Sequence, residues 1–336
     1  MTQVKQWGPG AAVRNIGTSF RLSIASFKLL FRTPRVLLLP LGTLLWTGLL
    51  AFTPISLTVW GFRNHPEATA RFWQALFYPA TQAFQRGDWL AGIGWSIAEG
   101  YALYAVWLTI VLTGLLYFLT VGMHVATQQI RKPKSEPSMG AGFRLANQNL
   151  GRLFLMALFT ATVFAWIRYV VRWGFGLATL PLMIVPFLGT MVRRAILGTV
   201  GWLLTAVNYL MLPIVVYERQ GAFSAMKSAW TNVKQTWSGM VVGSSLLFVG
   251  VWFVMQWFAL PLAQVAFRGS ITAGLITMIV TAAIVYAFSS ASSAAMRATL
   301  YWYATTGEVP QGFRVEDLPQ VTHANQKGIA GSPFAV

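Results

Sequence analysis

The chain has no cysteine, only three histidines and only eight acidic residues among its 336. The first absence excludes disulfides, thiolate chemistry and cysteine-held metal, and leaves no redox mark of compartment. His65, His124 and His323 are widely separated, and no HExxH, Walker or glycine-rich dinucleotide sequence is present. The few carboxylates are too scattered to pair for acid–base work. GWSIAEG, from Gly94, lacks the second flanking glycine of a nucleophile elbow around Ser96. These absences point away from an enzyme and imply no cofactor and no metal.

Charge is scarce as well: 10% of residues are charged and 56% are hydrophobic, against about a quarter charged in an ordinary soluble domain. That balance predicts a membrane protein. Uninterrupted apolar runs long enough to cross about 30 Å of hydrocarbon place spans near 36–62, 101–126, 153–173, 196–217, 239–267 and 271–296. The runs are continuous rather than alternating, so the expected fold is all-α, a polytopic bundle of about six transmembrane helices, not a barrel. Residues 1–315 form one integral membrane domain in this reading, and 316–336, with little to bury, form a disordered cytoplasmic tail. A further run, GFGLATLPLMIVPFLG over 174–189, carries two prolines and glycine at both ends. It is not counted as a span and reads as either a re-entrant segment or a broken interfacial helix. Pro40, Pro54, Pro213 and Pro261 fall inside spans, where they act either as packing kinks or as hinges. The first apolar stretch begins only near residue 36 and is too long for a signal-peptide core, so a retained N-terminus is expected.

Seventeen of the 25 basic residues fall before the first span or after the second, fourth and sixth. The positive-inside rule then places both termini in the cytoplasm of an inner-membrane protein. The net charge of +17 is accordingly a topology and lipid-surface signal, with about 1 kcal/mol per basic group near anionic headgroups; nucleic acid is not an expected partner. Three segments repeat one pattern: FRLSIASFKLLF from Phe20, FRLANQNLGRLF from Phe143 and FSAMKSAWTNVKQTW from Phe223. Their apolar stripes are Phe20, Ile24, Phe27 and Leu30; Phe143, Ala146, Leu150 and Leu153; and Phe223, Met226, Trp230 and Val233. Each predicts a cytoplasmic interfacial amphipathic helix ahead of a transmembrane hairpin, a unit used three times.

Arg168 and Arg172 share a helix face, Arg193 and Arg194 open the fourth span, and Asn208 lies within it. With Lys227 and Lys234 these are the candidate contacts to lipid or to a polar route. The four arginines read either as snorkelling interfacial groups or as lining of that route. SSASSAAM from Ser289 and GMVVGSS from Gly239 predict close helix contacts through small residues. Glu218 beside Arg219 reads as local charge balance. After the last span, Tyr301, Trp302 and Tyr303 are placed at the membrane interface, and Gly307 and Pro310 stop the helix.

The stretches LPIVVYERQGAFSAMKSAWTNVKQTWSGMVVG and LYWYATTGEVPQGF, with SFRLSIASFKLLFRTPRVLLLPL near the start, resemble an uncharacterised family of prokaryotic six-span membrane proteins, a domain of unknown function. The similarity covers about residues 19–60 and 205–315, and the LYxYATTGEVPxGF ending is its most specific part. It implies architecture and no activity. The expected function is non-catalytic: a structural or accessory membrane component that contacts anionic lipid, and a membrane-protein complex, through basic cytoplasmic helices. The competing reading is a small transporter or channel with a polar site between the third and fourth spans.

The native absence of cysteine gives the orientation a direct test. On intact cells an impermeant maleimide is expected to label Gln85→Cys and spare Ser332→Cys; labelling of the second position overturns the orientation.

Overall fold

The computed structural model describes residues 38–132, 136–164, 166–167, 204, 207–236, 260–306 and 308. All regular secondary structure among them is helical. In chain order the helices are α1 (Leu38–Asn64), α2 (Pro66–Leu76), α3 (Tyr78–Gln85), α4 (Trp89–Arg131), α5 (Met139–Gln148) and α6 (Leu150–Phe159, continued by a π turn over Thr160–Phe164). They are followed by α7 (Val207–Tyr217), α8 (Ala222–Thr236), α9 (Leu260–Gly269) and α10 (Ile271–Thr306). Trp89–Arg131 and Ile271–Thr299 are long and apolar enough to cross a membrane, and Leu38–Leu50, Leu150–Phe164 and Val207–Tyr217 are shorter apolar helices. The first amphipathic segment, the 174–189 run, most of the fifth span and the C-terminal tail lie outside the described residues.

Side-chain caps set several boundaries. The Asp88 carboxylate accepts from the Ala91 N–H, Ser138 Oγ from Ala141 and Ser270 Oγ from Ala273, each satisfying a backbone donor that the first helical turn leaves free. Asn149, 2% exposed, separates α5 from α6. Its backbone leaves helical geometry (φ −106°, ψ 8°), its amide donates to the Leu145 carbonyl, and its Oδ1 accepts from Arg152. A polar residue with both functions used in this way redirects the chain between an amphipathic and an apolar helix. At the other end, α10 stops at Thr306, one residue before Gly307.

Cross-helix hydrogen bonds give the directions. Trp46 Nε1 donates to the Ile110 carbonyl at 3.2 Å and Trp107 Nε1 to the Leu50 carbonyl at 3.1 Å, so α1 and α4 are antiparallel. Tyr101 donates to the Thr162 carbonyl in the π turn and Tyr117 to Asn147 Oδ1, which sets α4 antiparallel to the α5–α6 segment. By contrast Tyr209 meets Ser293 and Tyr217 stacks on Tyr301, so α7 and α10 run parallel. Thr127 Oγ1 lies 3.2 Å from the Tyr217 hydroxyl, which brings the C-terminal end of α4 to the same place.

The main core lies at these convergent ends. Met123, Leu153, Met156, Met211, Leu212, Val215 and Met296 are fully buried there. Along α10 the division is simple: Ile276, Val280 and Ile284 form an exposed stripe in the first half, whereas Ala287, Ala291, Ala294, Ala295 and Ala298 are buried in the second. Alanine brings helix backbones close, and the small-residue run from Ser289 is used for that purpose. Exposed Leu45, Leu49, Leu57 and Trp60 on α1 and Leu90, Ile93 and Ile97 on α4 continue the outward apolar surface. In water such a surface costs about 25 cal/mol per Å²; in hydrocarbon it costs nothing.

Two positions on α5 separate helix propensity from packing. A Cβ on Gly142 meets Val121 Cγ1 at 3.0 Å and the Val121 backbone oxygen at 3.1 Å, while one on Gly140 has only Ser138 Oγ, at 3.8 Å. Gly140→Ala is expected to stabilise the detergent-solubilised protein by up to about 1 kcal/mol, and Gly142→Ala to destabilise it by about 1–3 kcal/mol through overpacking. Equal shifts of the unfolding midpoint in the two variants would refute this packing of α5 on α4.

Candidate functional site at the convergent helix ends

Buried polar groups collect where α4, α7 and α10 meet. Tyr217 and Tyr301 stack with ring centroids 5.3 Å apart. The Tyr301 hydroxyl donates to Glu218 Oε1 at 3.3 Å, Gln220 Nε2 donates to Glu218 Oε2 at 2.8 Å, and Ser224 and Ser228 donate to Gln220 Oε1. This chain of bonds ties the start of α8 to the ends of α7 and α10. Among the described residues the partners of the Glu218 carboxylate are Tyr301 and Gln220 and not Arg219, so the expected local charge balance is replaced by hydrogen bonding across helices. Tyr301 and Trp302, placed at the interface by sequence, are 6% and 8% exposed and belong to the core. The Tyr301 ring takes its place beside α7 by stacking on Tyr217.

One turn further into the bundle stands Arg297. Its guanidinium carbon lies 4.1 Å from the centroid of the Tyr209 ring, whose hydroxyl donates to the Ser293 carbonyl. Arg297 Nε and Nη1 are buried and have no hydrogen-bond partner. A desolvated cation–π contact contributes about 2 kcal/mol, less than the several kcal/mol lost when an ion leaves water. The ring therefore only partly offsets the burial of this charge.

His124 sits on α4 at a similar depth, three residues before Thr127. Gln128 uses its Oε1 to accept the Ser138 N–H at 2.8 Å, so its amide nitrogen donates to His124 Nε2, 3.0 Å away. The neutral imidazole consequently carries its proton on Nδ1, which is buried without a partner. Gln129 Oε1, Asn208 Oδ1, Ser292 Oγ and Thr299 Oγ1 are likewise buried and unpartnered, all on these same three helices. The two oxygens of Glu99, in the first half of α4, are also buried and unpartnered among the described residues. Among the described residues no group of three His, Asp or Glu side chains is arranged to hold a metal ion.

The residues singled out by sequence are distributed unevenly around this centre. Asn208 is on α7, half-buried, with its Oδ1 buried and unpartnered. Lys227 is exposed on α8, and Lys234 lies on the same helix with its side chain outside the described residues. Arg168, Arg172, Arg193 and Arg194 lie outside the described residues altogether. The α8 stripe also turns out differently from the expected one. Ala225 and Ala229 are fully buried and Met226 packs beside them, while Phe223 is 69% and Trp230 40% exposed. Alanine lets the helix lie close to the core, so the large aromatics face out and flank Lys227. On α5, Ala146 is buried, Phe143 packs partly and Arg144 is exposed, but Leu150, expected in the same stripe, opens α6 and is 47% exposed, while Leu153 is buried. Sequence reading treated Arg297 only as a basic residue following a span. The available signal was its position, four residues after Ser293 in a run of small residues and just ahead of LYWY.

Comparison of the chain with protein-family models, curated proteins and solved structures finds no match.

Partial desolvation of the Glu218 carboxyl raises its pKa above the ordinary 4.5, and the bonds from Tyr301 and Gln220 reduce the shift without cancelling it. Folding thus favours the protonated form. The stability Glu218 contributes is complete below its unfolded pKa and is lost as pH rises through the higher folded value. Thermal unfolding followed from pH 4.5 upward is expected to show this loss in the wild type and a flatter profile in Glu218→Gln; superimposable profiles would exclude Glu218 as its source.

Proposed function

We propose that this chain is a non-catalytic multi-pass inner-membrane protein of six spans, with cytoplasmic termini. It serves as a structural or accessory component that contacts anionic lipid, and through it or beside it a membrane-protein complex. The carrying observation is the construction of α5 and α8. Each buries small residues against the core, and each turns a basic residue outward, Arg144 and Lys227. On α8 the exposed Phe223 and Trp230 flank the lysine at helical spacing, the arrangement of a helix lying at a lipid boundary. Both helices follow the C-terminal ends of apolar helices, α4 and α7, at the same end of the bundle. Outward apolar side chains on α1, α4 and α10 agree with insertion, as does the resemblance to six-span proteins. In this reading the convergent ends are cytoplasmic.

A second reading rests on Asn208, whose Oδ1 is buried without a partner inside an apolar helix. It is a small transporter or channel with a polar site between the third and fourth spans. Asn208→Leu separates the two readings: loss of a transport phenotype with the fold intact favours transport, and loss of folding alone favours the structural role.

The lipid test uses the tagged full chain extracted from its own membrane into native-lipid discs, with co-purifying lipids and proteins identified by mass spectrometry. Anionic lipid is expected to be enriched, and Arg144→Glu combined with Lys227→Glu to reduce that enrichment by at least about tenfold. An unchanged lipid profile in the folded double variant would remove these helices from the proposal.

A further inference from the structure

We propose that Arg297 anchors an oxyanion of the phosphate type, bound within the bundle where α4, α7 and α10 converge. The anchor is half-buried with Nε and Nη1 out of contact with solvent: its guanidinium is held against Tyr209 at 4.1 Å, and the Tyr209 hydroxyl donates to the Ser293 carbonyl. Tyr209 thus fixes the plane of the cation without using Nε or Nη1, the two nitrogens left unpartnered. A guanidinium presents these donors as a fork that matches two oxygens of a phosphate or carboxylate. The nearby carboxylate, Glu218, is engaged with Tyr301 and Gln220 and does not serve as counter-ion.

The surrounding groups suit the same ligand. Thr127, Tyr217 and Tyr301 define one level of the bundle. Arg297 lies four residues below it on α10 and His124 three residues below it on α4. His124 presents its Nδ1–H, unpartnered because Gln128 occupies Nε2. The unpartnered Thr299 and Ser292 hydroxyls lie on the opposite face of α10 from Arg297 and are not part of this set. A cation and a ring N–H without acceptors, on helices packed into one core, form a set that an anion completes and a cation does not. Two sources supply this chemistry: the headgroup of an anionic lipid and a soluble phosphate. This site is independent of the exposed basic helices and stands or falls without them.

The experiment uses the full chain, purified in mild detergent, and follows the thermal midpoint together with native mass spectrometry. The probes are phosphatidylglycerol, with phosphatidylcholine as the neutral control, and inorganic phosphate alone. Wild type is expected to be stabilised by phosphatidylglycerol or by inorganic phosphate and not by phosphatidylcholine. Arg297→Met is expected to weaken that response by about tenfold or more, while unfolding at an equal or higher temperature without ligand because an unpaired buried charge has been removed. Stabilisation by the lipid alone identifies a headgroup site, and stabilisation by phosphate as well identifies a site for soluble ligands. The Arg144→Glu, Lys227→Glu variant should keep the response. If that variant loses lipid enrichment but keeps the Arg297-dependent shift, the surface and the buried site are separate. Should Arg297→Met fail to fold, Arg297→Lys tests the fork: it keeps the charge, loses the paired donors and is expected to respond more weakly. Equal responses in wild type and the Arg297 variants, or none to either probe in wild type, overturn the proposal.

Discussion

Close approach of α10 to its neighbours depends on Ala287, Ala291, Ala294, Ala295 and Ala298, which present almost no side chain to the interface. With backbones this near, the large groups on α7 and α10 must share limited space. They do so by stacking, Tyr217 on Tyr301 and Tyr209 under Arg297. The same approach takes the polar atoms of these helices out of contact with solvent. Packing and polarity therefore occur together at this end of the bundle, where the buried alanines of α10 and the unpartnered donors of Arg297 and His124 are found.

The first halves of α4 and α10 and the second half of α1 behave differently. Leu57, Ile97, Ile276 and Ile284 point outward and do not compete for a common interior. Stabilisation there comes from helical backbone hydrogen bonding, and the outward surface is of the kind that an apolar medium accommodates. A few directional bonds fix the neighbours, notably the indole N–H groups of Trp46 and Trp107 on carbonyls of the facing helix. The molecule thus has a densely packed, polar-studded end and a looser apolar end. A binding function is more readily built at the first, where side chains are held in place by their neighbours.

The surface helices α5 and α8 connect this interior with whatever lies outside. Both pack through small residues, Gly142 and Ala146 in one and Ala225 and Ala229 in the other. Their outward groups can consequently change without disturbing the core. Glu218 and Gln220 carry the coupling, because they tie the beginning of α8 to Tyr301 on α10.

By itself the sequence determined the helical class and the stop of α10 before Gly307, because apolar run length and turn residues are local properties. It also showed in the SSASSAAM run where helices would approach closely. It did not determine which side of α8 faces the core, since an outward face meeting lipid and an inward face meeting protein can both be apolar. Size decides between them, and only the tertiary structure shows that alanine fits and Phe223 and Trp230 do not. The environment of Arg297 was hidden for the same kind of reason: a basic residue at the end of a span looks alike in sequence whether it reaches water or is enclosed. Its partner ring is Tyr209, which is 88 residues earlier in the chain and is brought to it only by the parallel packing of α7 on α10.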